Sequence, residues 1–327
     1  MNIRRCLFTL LLGLSAVAAV LPGASHAQFL DIFAGADEKK AYELYRASEN
    51  GSEKAMTKLR ELANNGNRSA ALQYGYLYHV GRAPKHGERA GGKDIQIAMR
   101  AYELAAGKTT DDEKLTGNAI AAYNLGLIYL WGQNTGAPSA KDAVRWFTAA
   151  AGDRDVGGKS FLPAAMQLAN IYEKGFQDVP KNPQLSTHWY RIAASLREPV
   201  AQFKLGRALI EGIGLDKNNF EGMNSLRNAA DKWNRPAMYY LAGLYANGSD
   251  YQEQNLFEAA KWLVIAATGD PRYKKAADSM LANLTQKEQQ RVAQSAKIWV
   301  SGHQRVPERI EYNAPLNVEP RAIPGAK

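Results

Sequence analysis

Small and large apolar residues recur along this chain in two alternating patterns, each with helical spacing. The first pattern has a leading alanine, a large apolar residue at +4 and Gly or Ala at +5. Tyr or Leu follows at +8 and Gly at +11. Five gap-free segments carry it, led by Ala70, Ala121, Ala164, Ala201 and Ala237. At about 100° per residue, offsets 0, +4, +5 and +8 share one helix face. The small residues at +5, namely Gly75, Gly126, Ala169, Gly206 and Ala242, predict close approach of a neighbouring helix. The closing glycines, Gly81, Gly132, Gly175, Gly212 and Gly248, predict left-handed C-terminal caps, where a Cβ is penalised.

The second pattern follows each copy of the first. It has a small residue, often Trp three later, an aromatic or aliphatic residue next, and then paired alanines. Ala143, Trp146, Phe147, Ala150 and Ala151 show it, as do Ala259, Trp262, Leu263, Ala266 and Ala267. Ser186, Trp189, Tyr190, Ala193 and Ala194 are a third copy, and weaker copies begin at Ala98 and Gly222. Residues 37–49 and the segment from Ala55 to Ala63 read as a partial first repeat. The leading alanines settle to spacings of 37 and 36 residues, after longer spacings of 51 and 43. No useful period-2 strand pattern is present. A single helix pair cannot bury its apolar face, whereas stacked pairs can, so the expected class is all-α, an α-solenoid.

The combined pattern, A-x-x-x-L-G-x-x-Y-x-x-G and then A-x-x-W-[YLF]-x-x-A-A, resembles the Sel1-like repeat, a relative of the tetratricopeptide repeat. Residues 121–132 with 143–151, and 237–248 with 259–267, match it best. The resemblance implies about six repeats over residues 28–270. It also implies a non-enzymatic scaffold that binds a protein partner. Some secreted members carry a disulfide in every repeat and are linked to β-lactam binding; the cysteines for that are missing here.

Composition changes the picture mainly at the ends. Arg4 and Arg5 precede an apolar run over residues 7–21, then Pro22 and Gly23, and then Ser25-His26-Ala27. This predicts a secretory signal peptide, residues 1–27, cleaved between Ala27 and Gln28. The single cysteine, Cys6, lies in that segment, and removing it takes the net charge from +9 to +7. The expected compartment is a Gram-negative periplasm, with secretion beyond it as an extension, and with no membrane span after cleavage. Residues 271–303 read as C-terminal capping helices, with a capping box at Thr285 and Glu288. Residues 304–327 hold four prolines and read as a disordered tail.

The residues suggest no enzyme. The histidines His79, His86, His188 and His303 fall in no metal-ligand spacing, and no cofactor or metal site is expected. Gly157-Gly158-Lys159-Ser160 lacks the earlier glycine and the preceding strand of a phosphate loop. The loop from Arg82 to Arg89 is basic and expected to be solvated. Recognition remains. Offsets +3, +6 and +10 of the first helices turn away from the packed face. There Gln73, Asn124, Gln167, Lys204 and Tyr240 form a ladder, with Tyr76, Asn170, Arg207 and Trp131 beside it. This is the candidate concave binding face, for an envelope protein or, alternatively, for a polysaccharide or peptidoglycan. Assembly or regulation of an envelope complex, such as exopolysaccharide export machinery, is the expected role. Nucleic acid is not an expected partner, because the charge forms no concentrated patch.

Overall fold

The computed structural model describes residues 36–86, 88, 91–107, 117–152, 160–303 and 314–316. The signal segment with Ala27 and Gln28, the Gly157–Lys159 motif and nearly all of the tail lie outside the described residues. Fourteen α-helices and no strands occur among the described residues. They form stacked helix pairs of the all-α solenoid class, and the chain divides into two compact units.

The first unit contains α1 (Ala36–Glu49), α2 (Glu53–Asn64), α3 (Arg68–Val80) and α4 (Ile95–Ala106). The second contains α5 (Ala119–Leu130), α6 (Ala140–Ala151), α7 (Leu162–Lys174), α8 (Pro183–Ser195) and α9 (Pro199–Glu211). It continues with α10 (Asn219–Ala230), α11 (Arg235–Asn247), α12 (Leu256–Ala267), α13 (Lys274–Leu281) and α14 (Gln286–Gly302). Within each unit, a first helix packs on the second helix of its own repeat, and that second helix packs on the first helix of the next.

The sequence pattern explains these contacts atom by atom. A Cβ placed on Gly126 would lie 2.5 Å from the Phe147 ring, and one on Gly75 would lie 3.0 Å from Tyr102. Phe147 and Tyr102 hold equivalent places on their second helices, so the +5 position is small to receive that side chain. Where +5 is Ala169, its carbonyl instead accepts the Ser186 hydroxyl at 3.0 Å. The five closing glycines all have positive φ. Gly132 has a second reason to lack a side chain, because a Cβ would meet the Ala137 carbonyl carbon at 2.4 Å.

The entry to four of the five alanine-led first helices is built alike, whereas α7 starts after Phe161 with no side-chain cap. Asn67, Asn118, Glu198 and Asn234 accept the N–H of the leading alanines Ala70, Ala121, Ala201 and Ala237. This satisfies donors that the helix leaves orphaned. Arg197, Trp233 and Gly269, 36 residues apart, have φ of 64°, 61° and 71°. Each immediately precedes an N-cap (Glu198, Asn234, Asp270), and Pro199, Pro236 and Pro271 stand in the first turns that follow. The repeat register therefore runs on into Pro271–Leu281: the 3-10 turn Pro271–Tyr273, which leads into α13, begins where a further first helix would begin.

The C-terminal helix α14 starts at the expected capping box, with the Thr285 hydroxyl and Glu288 bonded reciprocally. Val292 and Ala296 are its buried residues, and Ala296 joins the core of the last repeat. Trp299 lies edge-on to Trp233 and Trp262, with ring centroids 5.1 and 5.7 Å away, and stacks on His303 at 4.0 Å. The Trp233 indole N–H donates to the His303 carbonyl at 3.0 Å.

Candidate binding face

The first-helix residues singled out by offset belong to two units, and each group is described within its own. In the first unit Gln73 is buried, at 6% exposure, and Tyr76 is half-buried, edge-on to Tyr45. Gln73 is therefore not solvent-facing, because α3 packs against α1, α2 and α4 and has little open side. Glu49 anchors this corner. It accepts hydrogen bonds from Arg82 at 2.7 Å and from the Tyr45 hydroxyl at 2.9 Å. Burial opposes its ionisation, but those bonds outweigh burial and hold its carboxyl below the usual range. The basic loop after α3 is more than a solvated turn. His86 is wholly buried, 3.1 Å from the Tyr74 hydroxyl and 3.5 Å from that of Tyr78.

In the second unit Asn124 is wholly buried. It too departs from the expected exposed ladder, for the same reason: α5 is enclosed by apolar packing on nearly every side. The other ladder members are half-buried, and they reach backward. Gln167 hydrogen-bonds Tyr123 of the preceding first helix. Lys204 donates to Glu173 at 2.5 Å, and the Tyr240 hydroxyl donates to Glu211 at 2.8 Å. The +3 position is thus a stitch between successive repeats.

Around Lys204 the stitch opens into a cleft of about 90 Å³. Glu173 from α7, Tyr190 from α8, and Lys204 and Arg207 from α9 line it. The Tyr190 hydroxyl donates to Glu173 at 2.8 Å and lies 3.0 Å from the Asn170 amide. Burial resists ionisation of Glu173, but the bonds from Lys204 and Tyr190 prevail and lower its pKa. Burial, and then the Glu173 charge, push the Tyr190 hydroxyl well above the ordinary phenol range. Arg207 uses its Nε to reach both Glu211 oxygens, at 3.0 and 3.1 Å. Trp131, at the end of α5, is exposed.

Offset alone found Lys204, Arg207 and Asn170 but missed their partners Glu173, Tyr190 and Glu211. The signal was present as an acid at +9 or +10 of one first helix and a donor at +3 of the next. Among the described residues no cluster of His, Cys, Asp and Glu could hold a metal, and no helix is long and apolar enough to cross a membrane.

The paired helices, closing glycines and inter-repeat stitches can be set beside known repeats. Four segments of the chain, residues 119–152, 162–197, 199–232 and 235–271, match the Sel1 repeat. Sel1 repeats generally mediate protein–protein interaction, and their scaffold is typically non-catalytic. All four lie in the second unit. A crystal structure of a Sel1 repeat protein from Oxalobacter formigenes is 25% identical with a TM-score of 0.56. The match covers 79% of this chain and 98% of that one. A protective antigen of uropathogenic Escherichia coli with an SLR fold is 21% identical with a TM-score of 0.46, covering 82% of this chain and 61% of that one. Among curated proteins, the chitin synthase regulator SKT5 of Saccharomyces cerevisiae is 26% identical over 199 residues, 60% of this chain. The match spans only 27% of that relative's length.

Proposed function

We propose that this protein is exported and acts in the periplasm as a non-enzymatic scaffold. It holds a protein partner on the first-helix face of the second unit during assembly or regulation of an envelope complex. The observation that carries this reading is the cleft at Lys204 and Arg207, charged and accessible within matched Sel1 repeats. Export rests on the Arg4-Arg5, apolar-run and Ala27-Gln28 pattern. The relative SKT5 is by name a regulator of a polysaccharide-making enzyme. That supports a regulatory role beside polysaccharide synthesis or export machinery rather than a catalytic one. A second reading is direct binding of polysaccharide or peptidoglycan, favoured by the exposed ring of Trp131 beside this face.

Three measurements test this. N-terminal sequencing of the fractionated protein is expected to start at Gln28, and an uncleaved cytoplasmic chain overturns export. A photo-cross-linker at Trp131 is expected to trap an envelope protein in living cells. Trapping none, together with retention on a glycan resin, selects the second reading.

A further inference from the structure

The cleft at Lys204 has a counterpart two repeats later with the opposite chemistry. A larger hollow of about 250 Å³ lies among α11, α12 and α13. The two occupy the same place in the repeat. Position +9 of the first helix is Glu173 in one and Ala246 in the other, and the residue after the second-helix Trp is Tyr190 or Leu263. On the next first helix, +3 and +6 are Lys204 and Arg207 in one cleft, Ala276 and Ser279 in the other. Every charged wall of the first cleft is apolar or small in the second. The continuation of the 36-residue register into α13 makes this comparison residue for residue.

We infer that the two clefts together recognise one extended polypeptide segment of the partner, with an acidic side chain in the Lys204–Arg207 cleft and an apolar one in the hollow beside Met280. This rests on the scaffold reading and specifies its partner. In the first cleft Arg207 engages Glu211 through Nε alone, so both Nη nitrogens carry no hydrogen bond among the described residues. Lys204 spends one donor on Glu173 and has two more. A fork of guanidinium N–H groups beside an ammonium matches a carboxylate. Glu173 and Glu211 already balance the two cations, so a single added negative charge suits the site better than a doubly charged phosphate. In the second cleft the walls are Ala242, Ala246, Leu263, Ala276 and Met280, with Tyr239 half-exposed at the edge. Gly243 adds room, because a Cβ there would meet nothing within 4 Å.

The spacing sets a ruler. Successive first helices are bridged directly by the Lys204–Glu173 and Tyr240–Glu211 hydrogen bonds, so each repeat advances this face by about one helix spacing, ~10 Å, and clefts two repeats apart are roughly 20 Å apart. An extended chain covers that in about six residues, at ~3.3 Å each. The segment therefore carries Asp or Glu and a Leu-like or aromatic side chain about six positions apart.

The test is panning of random dodecapeptides displayed on phage against the full mature chain. The wild type is expected to select peptides with an acid and an apolar residue at that spacing. With Arg207→Gln the acid preference is lost, and a recovered peptide binds about tenfold more weakly, the scale of one charge-assisted hydrogen bond. With Met280→Glu the apolar preference is lost and the acid preference stays. Failure to enrich any peptide overturns the inference, and so does an acid preference that survives both Arg207→Gln and Lys204→Gln. The scaffold reading fails separately. If cross-linking at Trp131 traps envelope proteins while panning shows no acid–apolar pair, only the two-cleft inference falls.

Discussion

Glu173 and Lys204 close a 2.5 Å ion pair across the junction of two consecutive repeats, both side chains about one-third exposed. The pair joins helices that the apolar core already brings together, and the Tyr190 hydroxyl braces the same carboxylate. Replacing Lys204 with Met is expected to lower stability by about 1 kcal/mol, since a partly exposed pair gives little more than a surface one. A double-mutant cycle of Glu173→Gln with Lys204→Met, read by urea titration, should give a coupling energy of the same size. Strict additivity would mean that the pair contributes nothing.

Acid is expected to loosen the second unit more than base. Asp270 is held at about 2, first by its hydrogen bond from Arg272 and against the opposing effect of burial. Glu173 is lowered as well. A carboxylate whose folded pKa is depressed contributes stability that is complete above its unfolded value, near 4. That stability is lost as pH falls through the folded value. Thermal melting should therefore be flat from neutral pH down to about 5 and fall steeply between about 4 and 2. The variant Asp270→Asn, which retains an N-cap oxygen, should melt lower at neutral pH and show a shallower acid decline.

Gly126→Ala puts a methyl group 2.5 Å from the Phe147 ring. The expected cost is about 1–3 kcal/mol from overpacking, despite alanine's better helix propensity. The same change at Gly243, where nothing lies within 4 Å, should be neutral or stabilising. Chemical denaturation of the two variants separates them. Equal effects would mean that the +5 position does not set helix approach.

Arg197 is exposed and sits at φ 64° in the left-handed region, beside Lys232, whose ammonium donates to the Arg197 carbonyl. Arg197→Gly keeps that backbone acceptor, relieves a strained φ and removes a like charge. The melting temperature should rise, corresponding to up to about 1 kcal/mol. A lower melting temperature would show that the arginine side chain contributes more than its backbone strain costs.

Much of the fold was legible because repeats state their own register. The +5 residues and closing glycines face steric limits that favour small side chains, so the copies share positive φ at their ends. Only Gly81 and Gly212 are left-handed caps, however: Gly175 and Gly248 combine positive φ with an extended ψ, and Trp131 caps the helix before Gly132. The binding face was harder to read. Helical offset shows which way a residue points but not what stands opposite, and this is why Gln73 and Asn124 are buried although their offsets point away from the packed face. Lys204 and Tyr240 lie on first helices, but their acidic partners come from the preceding repeat, about 30 residues away. His86 could not be foreseen either. Its burial depends on Tyr74 and Tyr78 together, and no local pattern marks a loop histidine for that place.

The left-handed residue, N-cap and proline that recur at Arg197, Trp233 and Gly269 make each boundary the same joint. A joint repeated at constant spacing is a splice point. A chain cut before Gly269 and rejoined through one extra 36-residue module would present α13 and α14 with the same landing surface they use now. The array length is therefore adjustable without redesign of its end, and the distance between the charged and apolar clefts could be lengthened one repeat at a time.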